Sequence, residues 1–211
     1  KRKERYIPAV TVNKNRKKYC KVSKSDYKRS LGLPENCILI LAIGEMIKRK
    51  NHEVIIRALA KTKNPNIYFA ICGKGPLKKY LQNLASKLGV YNRVKFLGFR
   101  RDIPELCNTA DISAFPSYIE GLGLAGIEAM AAGVPLVSSN VHGILDYVID
   151  GKTGYAMDPK DVDGFACAIN KLADDESLRK RMASNCWEAV KPFEIENALK
   201  AMWTIYNEIL K

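Results

Sequence analysis

The sequence predicts an α/β fold: a doubly wound parallel sheet of about six strands with helices on both faces, and further helices at the C-terminal end. Two observations carry this. Short apolar runs bounded by turn residues alternate with longer stretches of helical periodicity from Ile38 onward. The runs are continuously apolar rather than alternating, as expected of strands covered on both faces.

The elements follow in order. The first 36 residues are polar and less regular, with a strand expected at Tyr6–Val12 and a short helix at Ser25–Leu31, closed by Gly32 and Pro34. Ile38–Ile43 is the first strand of the main pattern. His52–Lys61 is a helix with Val54, Ile55, Ala58 and Leu59 on one face. Ile67–Cys72 is a strand, and Leu77–Leu88 a helix that stops at Gly89. Val94–Leu97 is the next strand. A short helix to about Asn108 follows, with Asp102 as N-cap and Pro104 in its first turn. After strand Ile112–Phe115 comes an alanine-rich helix, Gly126–Ala132, closed by Gly133 and Pro135. Leu136–Ser138 and Gly154–Met157 complete the strands. Three helices near Asp161–Leu172, Ser177–Val190 and Ile195–Leu210 end the chain, with Pro192 between the last two. Sheets of this kind bind ligands beyond the carboxyl ends of their strands. The loops of interest are therefore Gly44–Asn51, Gly73–Pro76, Gly98–Asp102 and Pro116–Leu124.

Composition sets limits. The 211 residues suit one α/β domain with a sizeable core, and no run approaches the ~18 apolar residues of a membrane span. No signal peptide is expected, and because the first residue is Lys1 rather than Met the sequence is expected to be a piece of a longer protein. Six cysteines (Cys20, Cys37, Cys72, Cys107, Cys167 and Cys186) lie far apart, with no Cys-x-x-Cys pair. They are expected to be reduced thiols in a cytosolic core, and no metal site is expected. The net charge of +13 is concentrated in Lys1-Arg2-Lys3, Arg16-Lys17-Lys18, Lys24 to Arg29 and Lys48-Arg49-Lys50. Such charge favours anionic partners. No nucleic-acid motif accompanies it, so nucleic acid is not expected.

The chemistry concentrates in Phe115 to Ala132. A strand ends at Pro116, a loop carries two glycines at alternate positions, Gly121 and Gly123, and a helix follows. Glycine leaves backbone N–H groups open to close approach, and a helix N-terminus adds unpaired donors and the positive end of the dipole. Together they make a phosphate cradle at Gly121, Leu122, Gly123 and Leu124. Two carboxylates, Glu120 and Glu128, bracket it eight positions apart. On its residues alone the pair stays ambiguous between solvated charges and ligand contacts. His52 and His142 are expected to be structural or solvated.

Glu120-Gly-Leu-Gly-Leu-x-x-x-Glu128-Ala-Met-Ala-x-Gly-x-Pro135, with Val137 beyond, resembles the signature of retaining glycosyltransferases of the GT-B fold, family 4. That group includes bacterial capsular and exopolysaccharide-synthesis enzymes. The likeness runs from Ile7-Pro8 to Leu210. Gly73-Lys74-Gly75, Val94 to Gly98, Ala110-Asp111 and Asp150-Gly151-x-x-Gly154 stand in the family's order. The resemblance implies the C-terminal, Rossmann-like donor-binding domain of such an enzyme. It implies a nucleotide-diphospho-sugar, with UDP expected, as substrate, and no metal or other cofactor. Glu128 would hold the ribose, Gly121 to Leu124 the diphosphate and Glu120 the donor sugar, with Glu120 and Lys50 as catalytic residues. Gly44, Gly73 and Gly75 would lie beside the nucleotide, and Arg100 and Ile103 beside its base.

The expected organisation is a lead-in segment (1–36) partly packed on the domain, the nucleotide-sugar-binding domain (37–191) and a C-terminal helix (192–211). The partners implied are a nucleotide sugar, the acceptor-binding N-terminal domain and an anionic membrane surface. The expected location is the cytoplasm, with peripheral attachment to the membrane's cytoplasmic face. Two departures stand out. Family members usually carry Gly-Arg where this chain has Gly44-Glu45, a variant shared by some polysaccharide-synthesis relatives, and a carboxylate cannot hold phosphate as arginine does. Ala9, Thr11 and Asn13 replace a more glycine-rich pattern. The alternative is a non-catalytic nucleotide-sugar-binding subunit that completes a site with a partner chain. A sugar-nucleotide epimerase fits less well because of the Glu-x7-Glu signature, and a nicotinamide dehydrogenase because no Gly-x-Gly-x-x-Gly follows the first strand.

Overall fold

The computed structural model describes residues 22–210. The expected strand Tyr6–Val12, Cys20, the basic groups Lys1-Arg2-Lys3 and Arg16-Lys17-Lys18, and the Ala9, Thr11 and Asn13 departures lie outside the described residues. Six strands form one sheet: β1 (Ile38–Ile43), β2 (Ile67–Cys72), β3 (Val94–Gly98), β4 (Ile112–Phe115), β5 (Leu136–Ser139) and β6 (Gly154–Met157). Their order is β3-β2-β1-β4-β5-β6, and every pairing is parallel. The helices are α1 (Lys24–Ser30), α2 (His52–Lys61), α3 (Lys78–Lys87), α4 (Ile103–Thr109), α5 (Leu124–Ala131), α6 (Val162–Asp174), α7 (Glu176–Val190) and α8 (Ile195–Ile209).

The continuous apolarity of the strands has its cause here. Alternate residues of β1 serve two cores: Ile40 and Ala42 join α2, α3 and α6, while Leu39 and Leu41 join α4, α5 and α7. The interior residues of β1 are therefore covered on both faces, and the two-residue period of a half-solvated strand disappears.

Three local readings change. The helix expected at Gly126–Ala132 starts at Leu124, because Gly123 takes the left-handed conformation (φ 76°) at the N-cap and Gly126 lies inside the helix. Asp102 does occupy the N-cap of α4 but makes no capping bond, since its carboxylate is held by Arg100 and Tyr27. Cys37, Cys72, Cys107 and Cys186 are buried free thiols, whereas Cys167 is exposed on the outer face of α6.

In the basic group Lys24 to Arg29, Lys28 is spent inside the fold and Arg29 is paired at its surface. Lys28 is buried, with Nζ donating to Cys37 O at 2.6 Å and to Asp111 Oδ2 at 2.7 Å. Arg29 pairs with Asp26 and Glu35. These contacts, with Leu33 in the core, pack the end of segment 1–36 onto the sheet. Along α8, Ala198 is buried while Leu199, Trp203, Tyr206 and Ile209 are exposed. Among the described residues no helix is long and apolar enough to cross a membrane.

Candidate site at the switch point of the sheet

Chain order reverses between the neighbours β1 and β4: β2 and β3 extend the sheet one way, β5 and β6 the other. At such a point the loops leaving the two strands diverge and open a crevice. Here the loop after β1 carries Lys50, and the loop after β4 carries Glu120.

Backbone and side-chain bonds tie these loops together. Tyr118 N donates to Arg49 O at 2.8 Å. Asn51 takes a left-handed conformation (φ 50°), which turns its side chain to donate to Pro116 O at 3.0 Å and Pro159 O at 2.8 Å. Lys50 Nζ then reaches Glu120 Oε1 at 2.5 Å and lies 5.1 Å from the centre of the Phe115 ring. Arg49 adds a longer contact of 3.3 Å to the same oxygen. The Glu120 side chain is only 6% exposed, so its charge is met by these cations rather than by water. The Lys50 stem also passes close to Gly44, where a Cβ would stand 3.4 Å from it.

The glycine segment follows directly. Gly121 is exposed, and a Cβ there would meet nothing within 4 Å, so its backbone is open to approach from outside. Gly123 is different: a Cβ would stand 2.6 Å from the Phe115 ring and 2.9 Å from Tyr147 Oη. Tyr147 is buried and donates to Gly123 O at 3.2 Å. Leu122 packs on the core, and Leu124 opens α5 with its side chain exposed. Gly126 N turns back to Gly123 O at 2.9 Å, and the N–H groups of Leu124 and Ala125 before it have no intrahelical acceptor. Glu128, four residues on, shares the exposed face of Leu124. Surrounding protein partly desolvates its carboxylate and raises its pKa.

The remaining candidates divide. Gly73 and Gly75 pack against the loop after β1, where added Cβ atoms would stand 2.0 Å from Gly44 O and 2.5 Å from Met46 O. Their smallness is thus explained by backbone packing beside the site. Arg100 is engaged with Asp102, and Ile103 packs at the edge of the core. Glu45, in the arginine position, is exposed. His52 is buried and structural, its Nε2 3.2 Å from Glu45 O. Burial lowers its pKa to about 4, with the Lys50 charge acting in the same direction. His142 is exposed, but Gly143 beside it is wedged on the cradle, where a Cβ would stand 1.7 Å from Gly121 O. Among the described residues no group of three or more His, Cys, Asp or Glu is placed to share a metal ion.

Sequence reasoning missed Asn51, Phe115, Gly143 and Tyr147. The left-handed φ of Asn51 and the long-range contacts of the other three leave no periodic or motif signal. Only the glycine after His142 marked that loop at all.

The architecture is that of the Rossmann-like, doubly wound domains. More narrowly, the chain belongs to the family described as glycosyl transferases group 1, whose model matches residues 23–187. It is 31% identical over 188 residues to an uncharacterized glycosyltransferase of Methanocaldococcus jannaschii, covering 87% of this chain and 48% of that protein. It is 32% identical over 160 residues to the lipopolysaccharide core biosynthesis glycosyltransferase LpsE of Rhizobium meliloti, covering 76% of this chain and 46% of that one. Among solved structures it resembles Anabaena HepE in complex with UDP-glucose, with a TM-score of 0.84 and 26% identity over 94% of this chain and 56% of the other. The chain thus spans about half the length of the curated relatives it matches.

Proposed function

We propose that this chain binds a nucleotide-diphospho-sugar at the switch point and serves as the donor domain of a retaining hexosyltransferase. The single observation that carries the reading is the convergence of Lys50, Glu120 and the open Gly121 backbone at the N-terminus of α5. Lys50 and the helix end meet the diphosphate, Glu128 the ribose hydroxyls, and Glu120 the sugar. As the glycosidic bond breaks, negative charge grows on the leaving diphosphate, and a lysine and a helix dipole already aimed there stabilise it. No metal or cofactor is called for in this reading. The structural likeness to a protein bound to UDP-glucose supports a UDP-sugar.

The acceptor is a glycan or a lipid-linked glycan, supported by the likeness to a lipopolysaccharide core enzyme. It is held by a second domain, so the 211-residue chain alone binds donor without transferring sugar. Attachment to an anionic cytoplasmic membrane face belongs to the same proposal, and salt-sensitive sedimentation with anionic vesicles tests it. The exposed Glu45 in place of arginine favours the second reading, a non-catalytic nucleotide-sugar-binding subunit. Transfer by the parent protein decides between the two.

Calorimetric titration with UDP-, GDP- and ADP-sugars tests the site. A UDP-sugar is expected to bind, and Glu128→Ala to weaken it by about tenfold, as for loss of hydrogen bonds to a charged group. Absence of nucleotide binding, or equal binding by the variant, overturns the assignment.

A further inference from the structure

Tyr27, on α1, stands outside every motif in the sequence, yet it reaches the loop that follows β3. Its hydroxyl donates to Asp102 Oδ2. The other carboxylate oxygen, Oδ1, accepts from Arg100 Nε at 2.9 Å, and Arg100 Nη2 also bonds Oδ2. The guanidinium is therefore held by a two-pronged carboxylate clamp, a geometry that fixes its plane as well as its charge. Asp102 titrates down at about 2 and Tyr27 up at about 12, so the clamp keeps one charge state through the neutral range. Beneath it, Tyr27, Leu31 and Ile103 pack on the same core, so α1 buttresses the loop by apolar contact as well.

The loop that the clamp holds also lies near Glu128: it leads into α4, whose Cys107 is close enough for the Glu128 charge to act on it. With the ribose on Glu128, the loop from Gly98 to Ile103 stands on the base side of the donor site. Its conformation is also set from outside: Gly98 turns with φ 68° and Gly73 N binds Gly98 O at 2.8 Å, but beyond Gly98 the clamp supplies the restraint.

We infer that Tyr27 is a positioning residue for the nucleobase end of the donor site, acting through Asp102 and Arg100. This rests on the donor-site reading above. It assigns to α1 a share in choosing the base, in addition to its packing role.

The test compares UDP with inorganic pyrophosphate, which shares the phosphates and lacks the base. Tyr27→Phe, which keeps the ring and removes the hydroxyl, is expected to weaken UDP roughly fivefold, about the worth of one hydrogen bond. Pyrophosphate, measured by competition, is expected to bind as in the parent, and the melting temperature to fall by no more than about four degrees. Asp102→Asn, which removes the charge of the clamp, is expected to reproduce the selective loss should Tyr27→Phe fold poorly. If UDP and pyrophosphate weaken together, the role is general support and the inference falls. If both variants bind UDP as the parent does while Glu128→Ala does not, the inference falls and the donor site stands. If the parent binds no nucleotide, both readings fall.

Discussion

Lys50 Nζ lies 2.5 Å from Glu120 Oε1, joining two loops whose residues are 70 positions apart in sequence. The pair does two things at once. It closes the switch point structurally, and it fixes the cation expected to face the diphosphate. Lys50→Ala leaves a buried carboxylate with only the longer Arg49 contact. We expect a stability loss of about 2 kcal/mol, below the full cost of orphaning a buried charge because Arg49 remains. UDP affinity should fall at least about tenfold, with charge-assisted phosphate contacts removed. Glu120→Gln should be milder on both counts, since the lysine survives to meet phosphate. Denaturant melts and calorimetry on the two single variants and the double variant check this. Additive stability effects would show that the pair is not coupled.

This contact also marks what the sequence could and could not disclose. Strands β1, β2 and β4 are legible to the residue because burial on both faces demands unbroken apolar runs such as Ile38 to Ile43. The loops at their carboxyl ends are legible for the same reason. Strand order is not, since nothing in the sequence says that β4 rather than β3 lies beside β1. Without that order Lys50 and Glu120 are two charges in separate loops. Lys28 is a related case: a lysine in a polar helix reads as solvated, and only the fold brings Asp111 and Cys37 O to it. A helix read as starting at Gly126 leaves out Leu124 and Ala125; in the fold Gly126 lies inside α5, where Tyr147 packs so close that a side chain would not fit.

The glycines of the cradle should separate binding from folding. At Gly121 an added methyl meets nothing within 4 Å of protein, so Gly121→Ala should melt within about two degrees of the parent. The same methyl would stand over the backbone expected to receive phosphate, and UDP affinity should drop by about tenfold or more. Gly143→Ala should behave oppositely. Its φ is 85° and the methyl would stand 1.7 Å from Gly121 O, so backbone must move. A loss of roughly 2 kcal/mol or more is expected, with binding weakened as a consequence of the shifted cradle. If Gly121→Ala binds UDP normally, the phosphate lies elsewhere.

His52 gives a prediction with a definite sign in pH. Burial is the main cause that lowers its folded pKa to about 4, against 6.5 for the free side chain. The unfolded chain therefore binds more protons between these values, and stability must fall as pH falls from about 6.5 to about 4. The full difference corresponds to about 3 kcal/mol, of which roughly 2 kcal/mol should be lost between pH 7 and pH 5. Glu128 acts in the opposite sense, because its raised folded pKa makes the folded state the better proton binder. The informative quantity is thus the difference between the parent and His52→Gln, which keeps an N–H donor for Glu45 O and does not titrate. Denaturant unfolding at pH 7 and pH 5 should show the parent losing about 2 kcal/mol more than the variant over that interval. Equal pH slopes for parent and variant would mean that His52 is not held neutral by the fold.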